Sequence, residues 1–233
     1  MKMRKISENT IRRLARYIRL LECLKRAGET RISSKDISML SDTSASLVRQ
    51  DLSNFGCFGQ QGYGYDIDKL LSELKRIMQG EERYPMILVG LGNMGKALLE
   101  KFNFSDCGFD LIAAFDARPT FSDIHINPNV PVLHIAQMEQ VIKEQAIKAA
   151  TLCVSGDDAV DTAKHLIRRG IRGIWNFTNV ELECVDHNVV IENIHFSDSL
   201  ILLNIICNQC EKSIYEGIYR SGQPIKPRGL MKV

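Results

Sequence analysis

Between an apolar run, Met86-Ile87-Leu88-Val89, and a helical stretch through Ala97, Leu98 and Phe102 lies Gly90-Leu91-Gly92-Asn93-Met94-Gly95. Three glycines at this spacing, where a strand exits and a helix begins, leave few folds open. The first makes a tight turn, and the second lets the backbone approach a pyrophosphate. The third lets the helix pack against the strand, and the helix N-terminus favours the phosphate charge. The spacing alone is weak evidence, but its context is specific. A second apolar strand, Leu111 to Phe115, ends in Asp116, 21 residues beyond Gly95. A ribose-binding carboxylate belongs there. A carboxylate at this point repels a 2′-phosphate and so favours NAD over NADP, while Arg118, two residues later, works against that preference.

Further α/β units follow. Val132-Leu133, Thr151 to Val154, Ile174 to Asn176 and Val189 to Ile191 read as strands, with helices over Met138–Ala149 and Asp157–Arg169 between them. This alternation predicts a doubly wound parallel sheet. A dehydrogenase would also need a substrate domain and a positioned acid or base. The five histidines, His125, His134, His165, His187 and His195, fall in no catalytic motif. The expectation is a nucleotide-binding protein that is not an enzyme.

The net charge of +2 divides unevenly. Residues 1–80 carry 15 Lys/Arg against 9 Asp/Glu, and residues 81–233 carry 15 against 19. A basic N-terminal part suggests a polyanionic partner. Ile11, Leu14, Ala15, Ile18, Leu21 and Leu24 repeat at helical spacing up to Gly28. Ser33 with Asp36 three residues on reads as the cap of a short helix ending near Leu40. Ser41-Asp42-Thr43 makes a turn into a third helix from Ser44 to Ser53.

Helix, short helix, tight turn and helix make a helix-turn-helix. Leu47, Val48 and Leu52 would face its core, leaving Ser44, Ser46, Arg49 and Gln50 outside, where side chains reach groove edges and phosphates. The alternative is an ordinary three-helix bundle with a solvated face. Aromatics alternating with glycines from Phe55 to Tyr65 favour a hairpin pinned to the bundle, the wing of a winged helix. The candidate DNA-binding residues are Ser33, Ser34, Lys35, Ser44, Ser46, Arg49 and Gln50, with Gln60 and Gln61 in the wing. Ile67 to Met78 forms another amphipathic helix, and the polar break Gln79–Glu82 marks the expected boundary.

Asp198 to about Tyr219 is helical and apolar around most of its circumference, which one domain face cannot cover. It reads as a dimer helix exchanged between subunits, and a symmetric dimer suits two heads on a palindromic site. The expected division is a winged helix over 1–80, a Rossmann domain over 81–196 and a dimerisation helix with tail over 197–233. Seven scattered cysteines do not suggest a secreted disulfide framework. Cys207 and Cys210, the one C-x-x-C pair, read as buried thiols rather than a redox or metal pair. No metal site is expected. With neither a signal peptide nor a membrane-length apolar run, the expected location is cytoplasmic.

Along nearly its whole length the chain resembles the Rex family, the NADH-responsive redox-sensing repressors of bacteria. The resemblance rests on Arg13-Leu14 through Tyr17, Ser33-Ser34, Val48-Arg49-Gln50-Asp51-Leu52-Ser53 with Phe55-Gly56, Gly62-Tyr63-Gly64-Tyr65, Gly90 to Gly95, and Asn176-Phe177. It implies a homodimer with a domain-swapped C-terminal helix. It also implies a palindromic DNA operator bound by the apo or NAD⁺ form and released by NADH. The implied NAD(H)-binding residues are Gly90, Gly92, Asn93, Met94, Gly95, Asp116, Asn176 and Phe177.

The chain departs from the family pattern at several points. Gln60 and Gln61 stand where the wing is usually basic. The family couples an arginine of the first helix, matched by Arg19, to an aspartate before the last helix and a tyrosine after the glycine loop. Those positions hold His195 and Lys101, or Phe102 if the match shifts by one. Val154-Ser155-Gly156 and Asn176-Phe177-Thr178-Asn179 replace loops that usually contain proline. The expectation is an intact adenosine half and a weakened or altered NADH response. The competing readings are a small NAD-dependent oxidoreductase with an accessory domain, and a DNA-binding protein that senses another nucleotide or none.

Overall fold

The computed structural model describes residues 7–56, 63–79, 83–120 and 126–221, so Gln60 and Gln61, expected in a wing, lie outside the described residues. Helix α1 (Glu8–Arg26) starts at Ser7, whose hydroxyl accepts from the Thr10 amide, and carries Lys25 and Arg26 in its last turn. Both features suit the orphan amides and partial charges of helix ends. Strand β1 (Arg31–Ile32) leads into α2 (Ser34–Ser41), where Ser33 and Asp36 cap each other reciprocally, as their spacing predicts. Asp42 ends α2 in the left-handed region at φ 52, and Ser44 caps α3 (Ala45–Ser53). Strand β2 (Tyr65–Asp66) pairs antiparallel with β1 and feeds α4 (Ile67–Gln79).

Leu14, Tyr17, Leu21, Ile37, Val48 and Leu74 are fully buried in the core of this unit. One charged group joins them. Asp51 of α3 is buried and takes both arms of Arg13 from α1, Nε to Oδ2 and Nη2 to Oδ1, each at 2.7 Å. The Tyr17 hydroxyl donates to Asp51 Oδ2 at 3.1 Å, and Arg16 donates to the Ser41 carbonyl at 2.8 Å. Burial pushes the Tyr17 phenol above its usual range, against a hydrogen bond with Thr43. The phenol therefore stays a donor. The outer helix of the helix-turn-helix is thus locked to α1 by a bidentate pair, with the Tyr17 hydroxyl as a third donor to the same carboxylate.

The second unit begins with β3 (Tyr84–Val89) and α5 (Asn93–Lys101), followed by a 3₁₀ turn, Phe104–Cys107. Strands β4 (Phe109–Asp116) and β5 (Val132–His134) precede α6 (Met138–Glu144), β6 (Ala149–Leu152) and α7 (Gly156–Arg168). Strands β7 (Gly173–Asn176) and β8 (Val190–Asn193) come before α8 (Phe196–Ser221). The sheet order is β5-β4-β3-β6-β7-β8, with every pairing parallel. The order reverses between β3 and β6, which opens a crevice at the carboxyl ends of those strands.

Two expected boundaries are corrected. The helix from Met138 stops at Glu144 rather than Ala149, because Ala146 turns left-handed at φ 47 and Ala149 already belongs to β6. Strand β6 ends at Leu152, so Cys153 and Val154 lie in the loop at the crevice.

Helices α6 and α7 cover one sheet face through Met138, Ile142, Ala159, Ala163 and Leu166. On the other face α5 packs over β3, β4 and β5. The rest of that face, with Ala149, Gly173, Trp175 and Val190, borders an apolar cavity of about 360 Å³. Helix α8 leaves the body with Leu200, Ile201, Leu202, Leu203, Ile205 and Ile206 all exposed. Cys207 is exposed as well in the single chain, and the side chain of Cys210 lies outside the described residues. The two units touch at an exposed pair, Arg12 Nη2 to Glu192 Oε1, at 3.0 Å. Among the described residues no helix is long and apolar enough to cross a membrane.

Candidate nucleotide crevice and DNA-facing surface

Two of the three motif glycines have a local reason to lack a side chain. Gly90 sits at φ +97, and a Cβ there would come within 2.6 Å of the Cys153 carbonyl. A Cβ on Gly95 would collide with the Gly90 carbonyl oxygen, so only glycine lets α5 start this close to β3. Gly92 is different. A Cβ there would meet nothing within 4 Å, so its openness is available to a ligand. Gly92 also caps α5 without any side-chain hydrogen bond, which leaves the first-turn amides of Asn93, Met94 and Gly95 uncapped. These features fit a dinucleotide phosphate. The start of α7 does not compete, because Asp157 and Asp158 already occupy its first turn.

Asp116 stands at the end of β4, beside the glycine turn. Its Oδ2 accepts from the Leu91 amide at 2.7 Å and its Oδ1 from the Arg118 amide at 2.8 Å. The carboxylate is therefore oriented and keeps lone pairs for ribose hydroxyls. Across the crevice, burial pushes the Cys153 thiol up to about 12, so it stays protonated and is no nucleophile at neutral pH.

Asn176 ends β7 and Phe177 follows it. The Asn176 side chain is fully buried and saturated. Its Nδ2 donates to the Val180 carbonyl at 2.8 Å and to Asn193 Oδ1 at 2.7 Å, and its Oδ1 accepts from Thr178 N and Oγ1. It shapes the turn after β7 and leaves the surface to Phe177. The Phe177 ring lies 4.4 Å from that of Trp175 and 6.3 Å from that of Phe196.

The three switch positions are not joined to one another by any hydrogen bond or ion pair among the described residues. Arg19 is exposed on α1. Lys101 pairs with its neighbour Glu100 at 2.7 Å. His195 bonds through Nε2 to Glu181, a partner that sequence reasoning missed.

On the N-terminal unit, Lys35, Ser44, Ser46, Arg49 and Gln50 are exposed and Ser34 is half-buried. Ser33 and Ser44 spend their hydroxyls as helix caps, on the Asp36 and Leu47 amides. Arg49 Nη1 donates to Ser34 Oγ at 3.2 Å, so the outer face of α3 meets the head of α2. Arg31 was not foreseen. It donates to the Tyr63 carbonyl at 3.1 Å and lies over the Tyr63 ring, placing a cation at the base of the wing.

Residues 5–53 match the family described as "Putative DNA-binding protein N-terminus", and residues 81–180 match the CoA binding domain family. The chain is 42% identical to the redox-sensing transcriptional repressor Rex of Clostridium novyi (strain NT), over 89% of this chain and 98% of that protein. It is 40% identical to Rex of Thermoanaerobacter pseudethanolicus, over 90% and 93% of the two chains. Two solved structures of RSP are similar. The complex with beta-NAD+ and operator DNA has a TM-score of 0.75 at 37% identity, over 94% of this chain and 100% of that one. The complex with beta-NADH has a TM-score of 0.78 at 35% identity, over 92% and 99%.

Proposed function

The chain belongs to the Rex family of redox-sensing transcriptional repressors, and from that premise we propose that it represses transcription as a dimer on a palindromic operator and is released when NADH binds. One observation carries the reading: a single chain joins an open phosphate cradle at Gly92 and α5 to an outer α3 face locked onto its own core. Arg49 and Gln50 read base edges, with Arg31, Lys35, Ser44, Ser46, Gln60 and Gln61 as backbone contacts. Gly90 to Gly95 and Asp116 hold the adenosine and phosphate half of NAD(H), and Phe177 flanks the nicotinamide half. The nucleotide is a ligand here rather than a co-substrate. The site of action is the cytoplasm, beside the chromosome.

Dimerisation is supported by two complementary surfaces. An apolar α8 stands exposed on one side, and an uncovered half-sheet with an apolar cavity stands on the other. A second copy's α8 suits that surface, which makes the helix domain-swapped. The altered-response reading is favoured by Lys101, which pairs with Glu100, and His195, which bonds Glu181, instead of either joining Arg19.

The test is a titration of NADH into protein bound to a labelled palindromic site at constant NAD⁺. Release by NADH is the expected result. Tight operator binding that neither cofactor changes would leave a DNA-binding protein without this response.

A further inference from the structure

We propose that Glu181 is the positioning residue that ties the nucleotide crevice to the root of α8, in the place where the family pattern has a direct charged switch. The inference rests on the functional reading above and deepens it.

The contacts form an unbroken series. The Gly90 turn abuts Cys153, since a Cβ on Gly90 would strike its carbonyl. Three residues on, a Cβ on Gly156 would collide with the Asn179 side chain and crowd Val180. The turn after β7 therefore lies directly against the loop that faces the glycine turn. Within that turn, saturated Asn176 reaches Asn193 of β8. Asn193 Nδ2 donates to Glu181 Oε1 and to the Leu182 carbonyl, each at 3.0 Å, while its Oδ1 accepts from the Leu182 amide at 3.2 Å. The other oxygen of Glu181 meets His195. His195 is the residue immediately before α8, its side chain is only 25% exposed, and its carbonyl accepts from the Asp198 amide.

Glu181 thus holds β8 with one oxygen and the entrance of α8 with the other. A displacement of the Phe177–Leu182 turn reaches the end of β8 through bonds to Asn193 and Ile194, and Glu181 is the side-chain link that carries it on to His195 and α8. The Phe177 and Phe196 rings span the same gap at 6.3 Å, an ordinary aromatic contact that packs the helix root without directing a polar bond to it. Networks of this kind couple sites when both ends bias the same element.

The quantity to measure is the factor by which NADH raises the operator dissociation constant, in full-length protein. NADH affinity is read separately from the fluorescence of Trp175, the chain's single tryptophan, whose ring adjoins Phe177. Glu181→Ala is expected to cut the NADH factor about fivefold or more, within the usual range of coupling between sites. NADH affinity and melting temperature should stay near wild type. His195→Ala should do the same, and the double variant should be no worse than either single, because both remove one link. Glu181→Gln can still accept from Asn193 and bond His195, so it should keep most of the factor.

An unchanged factor in Glu181→Ala, or losses that add in the double variant, overturns the proposal. So does a loss that merely follows a fall in melting temperature. If Glu181→Ala does not fold, His195→Ala and Glu181→Gln decide between these results. A wild-type protein indifferent to NADH overturns the functional reading itself. A responsive wild type with an equally responsive Glu181→Ala overturns only the role of Glu181.

Discussion

Asp51 illustrates what one residue can decide. It lies in a stretch that resembles the family, yet helical periodicity marks only Leu47, Val48 and Leu52 as core, because periodicity sees apolar side chains. The structure buries its carboxylate under Arg13 and Tyr17. Asp51→Ala leaves a largely buried arginine unpaired, and the expected loss is about 3–5 kcal/mol of stability in the N-terminal unit. Urea unfolding followed by helix signal checks this, and operator binding should fall with it. Asp36 makes a separate, pH-dependent contribution. The Ser33 hydroxyl and then the Ser33 amide, both donating to it, hold its carboxyl below the usual range. The folded form therefore binds the proton less readily than the unfolded chain. Its contribution is complete above the ordinary aspartate value of about 4 and is lost as pH falls through the lower folded value. Asp36→Asn should flatten that acid limb in melting temperature against pH, and an unaltered limb would argue against it.

At the scale of elements, the glycine turn and the last helix carry the informative experiments. Gly90→Ala places a Cβ at positive φ and against the Cys153 carbonyl backbone, which cannot swing aside. A loss of about 1–3 kcal/mol is expected from the strain, together with weaker NADH binding. Calorimetry on one sample measures both. For α8, Leu202→Glu with Ile206→Glu puts charge one turn apart on an exposed apolar helix. Sedimentation should show a dimer becoming monomeric, with weaker operator binding and a Rossmann unit of near-normal stability. A wild-type chain that sediments as a monomer would refute the exchanged helix. Helix starts were legible because caps are local chemistry. The early end of α6 was not, since Met138 to Ala149 has no Gly or Pro to announce it.

Across the whole molecule, the two units meet at the exposed Arg12–Glu192 pair, whose side chains are 59% and 47% accessible. Such a pair contributes about 0–1 kcal/mol. Arg12→Ala should therefore leave overall stability within that range, as thermal melting can establish. That pair alone does not fix the head to the body. The basic N-terminal charge follows the same division of labour, since a polyanion needs only one end of the molecule.

The sequence by itself determined the α/β order, the glycine cradle with Asp116, the capped helix-turn-helix and the unpartnered apolar tail. Each of these follows from spacing along the chain, and covalent neighbours govern turns, caps and helix faces. Tertiary structure alone decided that Asp51 answers Arg13 across 38 positions and that Asn176 is spent on its own turn. It also decided that His195 finds Glu181 rather than Arg19. A polar side chain takes whatever partner the fold brings within about 3 Å, and that distance is set by packing between segments far apart in the chain.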